Sequence, residues 1–339
     1  MKRLLIGTAV VGALGVIAWG GVAMVSETAA TRWLDDRRAE GWVANVADIS
    51  VSGFPLQFVT ELQDVELADP DTGLAWSVAS LEFRQDVHRL DRIEARWPAE
   101  QVIASPVERL TVEGSDDGDL HLIAALDVQP TNRFALDAVN AETGPLQVTS
   151  SAGWQTAWEQ GSLTLHRVAE TETTYDLVAL ATQMAPPDAW RNRLDPAGVL
   201  PAELDSATVR AIARFDAPWD MDAIETARPQ VTALELEDVS LQWGDMLFRA
   251  TGALEVTPGG VPEGELAVRA ENWSAMVDLA SNAGVVPERF RGTAEAMLQM
   301  LAGLSGRPEN IDTTLSFSNG RMLLGGVLPI GPAPSLRLR

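Results

Sequence analysis

The chain has 339 residues, of which 46% are apolar, with no cysteine and three histidines. Its 48 acidic residues against 25 basic ones give a formal net charge of −23, a surface that repels phosphates and so excludes nucleic acid as a partner. The length suits one large or two ordinary domains, and the apolar content is ample for a core that needs no disulfide.

Leu4 to Val25 carries no charged side chain, is preceded by Lys2 and Arg3, and is followed by Glu27 as the first charge beyond it. At about 1.5 Å per residue, a helix over this run reaches roughly 33 Å, enough for the hydrocarbon core of a bilayer. The two cations hold the short N-terminus in the cytoplasm and send the rest across. A cleaved signal peptide is the alternative, with Gly21-Val22-Ala23 and Thr28-Ala29-Ala30 as small-residue cleavage sites. Its apolar region is normally 7 to 15 residues, shorter than this run, so the reading is an uncleaved anchor. The expected location is the inner membrane, single-pass, with the C-terminal domain in the periplasm.

Beyond the anchor, Ala29 to Trp42 reads as a short charged helix with Trp33, Ala39 and Trp42 near one face. From Val46 to about Thr182 the pattern is mostly strand. Leu120, Leu122, Ala124, Leu126 and Val128 share one parity while His121 and Asp127 share the other, the period of an antiparallel sheet with one face buried. Gly161–Val168 and Thr173–Thr182 form a further hairpin. Pro186 to Arg228 holds five prolines and short helical pieces, Asp188–Arg193 and Ser206–Phe215, and reads as a connection between halves.

A second strand block spans Val231 to Ala270, with Pro258-Gly259-Gly260 as a turn. Trp273 to Gly306 is helical in two parts, the second with Phe290, Ala294, Met297, Leu298 and Leu301 on one stripe that packs on the sheet. Asn319-Gly320 between Ile311–Ser318 and Arg321–Leu328 is a strong hairpin signal. Glu61-Leu62-Gln63-Asp64-Val65-Glu66-Leu67 has an echo in Glu235-Leu236-Glu237-Asp238-Val239-Ser240-Leu241, and in both the apolar alternation slips at the acidic residues, as a β-bulge or bend requires.

The expected fold is therefore mainly β with minor α: a transmembrane helix, then curved antiparallel sheets in two similar lobes. The boundaries read as anchor 1–28, first β lobe 29–185, Pro-rich helical connection 186–230, and second β lobe with a packed helix pair 231–339.

Catalytic patterns are scarce. His88, His121 and His166 lie on separate elements with no partner at ligand spacing, and no His-Glu-x-x-His, Gly-x-Ser-x-Gly or phosphate-cradling Gly-x-x-x-x-Gly-Lys sequence occurs. Lys2 is the sole lysine, so lysine nucleophiles beyond the anchor are excluded too. Asp69-Pro70-Asp71-Thr72-Gly73 and Asp116-Asp117-Gly118-Asp119 offer clustered oxygens, but neither completes a calcium loop, and both fit ordinary turns. The reading is no catalytic residue, no metal and no cofactor; a carboxylate pair among the 48 acids is the residual enzyme alternative.

Apolar surface remains. Trp76 and Val78 alternate with Ala75, Ala79, Leu81 and Phe83, so both faces of one strand look apolar. A second apolar face means either burial between layers or an exposed groove. Phe54, Leu56, Trp76, Leu81, Phe83, Leu122 and Leu126 are the residues expected to line such a groove.

Gly53-Phe54-Pro55-Leu56 after the membrane run, Arg96-Trp97-Pro98, and Asn319-Gly320-Arg321-Met322-Leu323-Leu324-Gly325 with Pro329-Ile330-Gly331-Pro332-Ala333-Pro334 together resemble domain-of-unknown-function family 2125. More distantly, the chain is similar to AsmA-like envelope proteins. That likeness implies one inner-membrane helix, curved antiparallel sheet with an apolar inner groove, and a role in phospholipid transit or envelope lipid homeostasis. The expected partners are the inner membrane and phospholipid. A structural or assembly factor, holding another envelope protein through the acidic surface, is the second reading.

Overall fold

The computed structural model describes residues 27–114, 121–129 (backbone), 135–220, 223, 228–282, 288–304, 308–326 and 328–338. The expected anchor Leu4–Val25 lies outside them. Among the described residues no helix is long and apolar enough to cross a membrane. Mainly β with minor α is what the chain forms, in two groups of antiparallel strands. It divides into two compact units, one running through Thr164 and taking back Trp219–Thr226, the other holding Leu165–Pro218 and the chain after that return segment.

The first unit opens with helix α1 (Glu27–Ala39), which buries Ala30, Trp33 and Leu34 while Asp35 and Arg38 stay outside in an i,i+3 ion pair. Strands β1 (Val43–Asn45) and β2 (Asp48–Ser52) run in succession along the long β3 (Gln57–Asp69), which pairs with β4 (Leu74–Asp86). The sheet then forks. The second half of β4 pairs with β5 (Arg92–Pro98), which leads to β8 (His121–Gln129) and β9 (Ala135–Thr143). The first half pairs with β6 (Gln101–Ala104), which leads to β7 (Arg109–Gly114), β10 (Leu146–Ser150) and β11 (Gln155–Trp158).

One face of this forked sheet is closed. Thr60, Leu62, Val65 and Leu67 of β3, Trp76, Val78, Leu81 and Phe83 of β4, Ile93, Ala95 and Trp97 of β5, and Leu110 and Val112 of β7 are each at most 7% exposed. On β4 the buried residues skip from Val78 to Leu81, and on β3 from Leu62 to Val65. Pairing runs Gln63 with Ser80 and Val65 with Val78, and Asp64 between them has a left-handed φ of 50°. Both strands therefore change parity at the same level. The alternation that looked like two apolar faces of β4 is one buried face with a single slip.

Strand β12 (Gln160–Arg167) crosses the division between units. The second unit is a meander in chain order: β13 (Thr174–Met184), β14 (Leu204–Phe215), β15 (Val231–Trp243), β16 (Met246–Val256), β17 (Pro262–Glu271), β18 (Asn310–Ser318), β19 (Arg321–Leu324) and β20 (Leu328–Pro332). Asn319 and Gly320, at φ 52° and 71°, make the tight turn between β18 and β19 that their sequence dictates. The expected connection over 186–230 is corrected here. Asp188–Leu194 is helix α2, but Ser206–Phe215 is the body of β14, hydrogen-bonded on both sides within the sheet. Its buried Ala211 and Ala213 alternate with Arg210, Ile212 and Arg214, a period of two imposed by the flanking strands.

Helices α3 (Trp273–Asn282) and α4 (Glu288–Leu304) pack on the sheet as expected. Val277, Leu298 and Ala302 meet Ile311, with Ala270, Trp273 and Leu324 around them. Beside them, Leu194 of α2 joins Leu204, Trp243 and Met246, and the Trp243 indole donates to the Pro201 carbonyl at 2.9 Å. The far end of the same sheet is crossed by the C-terminal tail: Leu336 N–H donates to Gly260 O at 2.8 Å, and Gln230 exchanges two hydrogen bonds with the Leu338 backbone.

Candidate hydrophobic binding face

The residues expected to line a groove fall into two places: five lie by register on the closed face of the first unit's sheet, and two stand in an exposed turn. Trp76, Leu81 and Phe83 belong to the closed core of the first unit, where the Trp76 indole donates to Gln101 Oε1 at 2.8 Å. Phe54 and Leu56 stand in the turn between β2 and β3, 79% and 72% exposed. Leu122 and Leu126 pair by register with Trp97 and Ile93, and their side chains lie outside the described residues.

The second unit presents a different apolar face, built by register. Cross-strand partners share a face in an antiparallel pair, so a row can be followed across the sheet. One row runs Leu177, Ala211, Leu236, Gly252, Leu266, Leu315, Leu324. The next runs Ala179, Val209, Val239, Ala250, Val268, Thr313, and a third runs Ala181, Ala207, Leu241, Phe248, Ala270, Ile311. Thr313 is the only polar side chain among them. The opposite face carries Asp176, Arg210, Asp238, Arg249, Glu265, Arg269 and Asp312 on the intervening parity, with Arg269 ion-paired to Glu271 at 3.0 Å.

Two local devices hold the face continuous. Between Leu236 and Val239, three steps on β15 oppose two on β16, from Gly252 to Ala250, which is the bulge that the sequence slip requires. Without it, Val239 and Leu241 would turn to the polar side. Gly252 and Gly264 face each other's strands closely: a Cβ on Gly252 would lie 2.4 Å from the Glu265 carbonyl oxygen, and one on Gly264 would lie 2.5 Å from that of Ala253.

Coverage of this face is uneven. Ala250, Leu254, Leu266, Val268 and Phe317 are buried, and Ala333 of the tail packs against them. Toward β13–β15, Leu177, Ala179, Val209, Leu236 and Val239 are only half-buried, and Leu241 is 37% exposed. The floor there is shallow because β13 and β14 supply alanines, Ala179, Ala181, Ala207 and Ala211. An uncharged, partly exposed surface of short side chains bordered by leucine and valine can shield a flexible hydrocarbon but offers no group for acid–base or nucleophilic work.

Elsewhere, the Asp69 carboxylate is occupied with its own turn, accepting from Asp71 N–H at 2.9 Å and from the Thr72 hydroxyl at 2.7 Å. The Asp116–Asp119 cluster lies outside the described residues. Among the described residues no group of three or more His, Cys, Asp or Glu side chains gathers as metal ligands would. His88 and His166 are exposed. The signal that would have found the apolar face was the alternation of Val209, Ala211 and Ala213 with Arg210 and Arg214, read as helix rather than strand.

No curated protein matches the chain, and no solved structure does. One family model spans residues 19–334, nearly the whole length, including both units and all the motifs noted above. The chain belongs to DUF2125, the family described as uncharacterized protein conserved in bacteria.

Proposed function

We propose that the protein is a non-catalytic component of the bacterial cell envelope that binds the acyl chains of phospholipid on the apolar face of its second unit. In this reading Leu4–Val25 tethers it to the inner membrane and both units stand in the periplasm, the arrangement its likeness to AsmA-like proteins also implies. The observation that carries the reading is the half-buried stretch Leu177, Val209, Leu236 and Val239 with the exposed Leu241, apolar without interruption, in a sheet whose other face mixes charged side chains with Val178, Leu180 and Ile212. An apolar face of this kind left to water is costly, and a hydrocarbon guest offsets the cost at about 0.8 kcal/mol per buried CH₂. Covering about ten methylenes contributes roughly 8 kcal/mol gross, from which the ordering of the guest must be subtracted. A lipid suits the site because the chain carries its own bilayer-length apolar run, which keeps lipid at high local concentration.

The test is to express residues 27–339 in the periplasm, purify without detergent, and extract for lipid mass spectrometry. Phospholipid at about one molecule per chain is expected. A protein that comes out empty and takes up no lipid from vesicles ends the proposal.

A further inference from the structure

Two neighbouring loops at one end of the first unit expose large apolar side chains. Phe54 and Leu56 lie in the turn before β3, and Leu90, 56% exposed, lies in the loop between β4 and β5. The loops are joined: Val87 N–H donates to Leu56 O at 3.2 Å, and Gln57 pairs with Asp86. Both are fixed from below. The Gly53 carbonyl accepts from Leu56 and Gln57 N–H, and Gly53, at φ 84°, has no room for a Cβ, which would sit 2.9 Å from Gln57 O. Gln85, buried among the strands, donates from Nε2 to Leu90 O at 2.7 Å. The apolar side chains are thus held outward by ordered backbone. Arg89 pairs with Asp91 at 3.6 Å, so the charge beside Leu90 is balanced.

Helix α1 shows which way this end faces. Its last turn is fastened to β1, where Arg38 Nε donates to Ala44 O at 2.8 Å, and Trp42 N–H donates to Arg37 O. The helix also packs against β2, so it runs back along β1 and β2 toward the Phe54 turn. Thirteen residues of helix cover about 20 Å, against roughly 33 Å for the ten residues from Val43 to Ser52. Glu27, one residue after the uncharged run ends at Ser26, is therefore directed to the same end of the unit as Phe54, Leu56 and Leu90.

We propose that Phe54, Leu56 and Leu90 form an insertion patch that seats in the interfacial region of the bilayer to which the chain is tethered, fixing the pose of the first unit on the membrane. Large apolar tips on rigid loops suit the headgroup–acyl boundary, and a balanced charge beside them suits zwitterionic lipid. The inference rests on the membrane-anchored reading above, but not on lipid binding by the second unit.

The chain has no cysteine, so a single introduced thiol can be labelled. The full-length protein carrying Phe54→Cys, Leu90→Cys or Val107→Cys is labelled with an environment-sensitive fluorophore and reconstituted into phosphatidylcholine vesicles containing nitroxide-bearing acyl chains. Val107 is the control: it is 56% exposed in the same unit, on the β6–β7 loop, where Ala104 pairs with Ala75 at the opposite end of β4. Quenching at positions 54 and 90 at least threefold above that at 107 is expected. Equal quenching at all three, in protein that floats with the vesicles, overturns the patch and leaves the anchor standing. Protein that does not float overturns the anchored reading and the patch with it. Crosslinking of positions 54 and 90 to another protein in native membranes, without lipid quenching, overturns the patch in favour of a protein partner.

Discussion

Trp76 and Gln101 are diagonal neighbours on one face of β4 and β6, two residues out of direct register, and the indole Nε1 donates to Oε1 at 2.8 Å with both side chains buried. A buried amide oxygen left without its donor costs about 1–3 kcal/mol. Trp76→Phe and Gln101→Leu should each destabilise the first unit by that order. The double variant should lose less than the sum, because it removes both polar groups together. Denaturant unfolding of the four proteins measures this. Lipid bound per chain should be the same in all four, since Trp76 belongs to the core of the first unit and not to the face proposed to bind lipid.

Gly252 and Leu266 are paired on the apolar face of the second unit, and the glycine sits at φ 144° with no space for a Cβ. Gly252→Ala should lower stability by about 2–3 kcal/mol, as forced backbone conformations and overpacking do. Thr251→Ala, on the exposed neighbouring position, should stay within about 0.5 kcal/mol. Thermal denaturation of both variants separates a close-approach requirement from a general intolerance of β16 to change.

The parity slip in β3 depends on Asp64 holding a left-handed backbone at φ 50°. Asp tolerates that region and a β-branched residue does not. Asp64→Val should cost about 1–2 kcal/mol, while Asp64→Gly should be near neutral because glycine adopts the conformation freely at some entropic cost. Equilibrium unfolding of the two variants gives the comparison.

These cases also show what could be read in advance. The Asn319-Gly320 hairpin, the paired helices after Trp273 and the bulge near Asp238 follow from local chemistry, and each formed where its residues called for it. Ser206–Phe215 did not. Val209, Ile212 and Ala213 have helical spacing, and only the hydrogen bonds supplied by β13 and β15 make the segment a strand. The apolar face was missed for a related reason. Read alone, β4 has apolar residues on both parities, because the change of parity it shares with β3 is a property of the pair. In sequence Trp76, Leu81 and Phe83, which are sealed, therefore stand out as a second apolar face, whereas Leu177, Val209 and Leu236 belong to three separate strands and meet only in the sheet.

The acidic surface gives the insertion patch a charge preference. With a formal charge of −23, contact with anionic lipid is repulsive over about a Debye length. Replacing phosphatidylcholine by increasing phosphatidylglycerol should reduce quenching at positions 54 and 90 at low salt, and raising the salt to about 0.5 M should restore most of it. Fluorescence titrations at two ionic strengths test this directly.

The central claim is that the half-exposed apolar face of the second unit holds lipid, and Leu241 and Gln242 test it most directly because they are adjacent, both exposed, and on opposite faces of β15. A photoreactive amino acid placed at either position in the full-length chain, irradiated in bacterial membranes, reports what touches each face. Phospholipid adducts at position 241 at least tenfold above those at 242 are the expected result; equal yields at the two positions, or adducts to protein alone, would contradict the account.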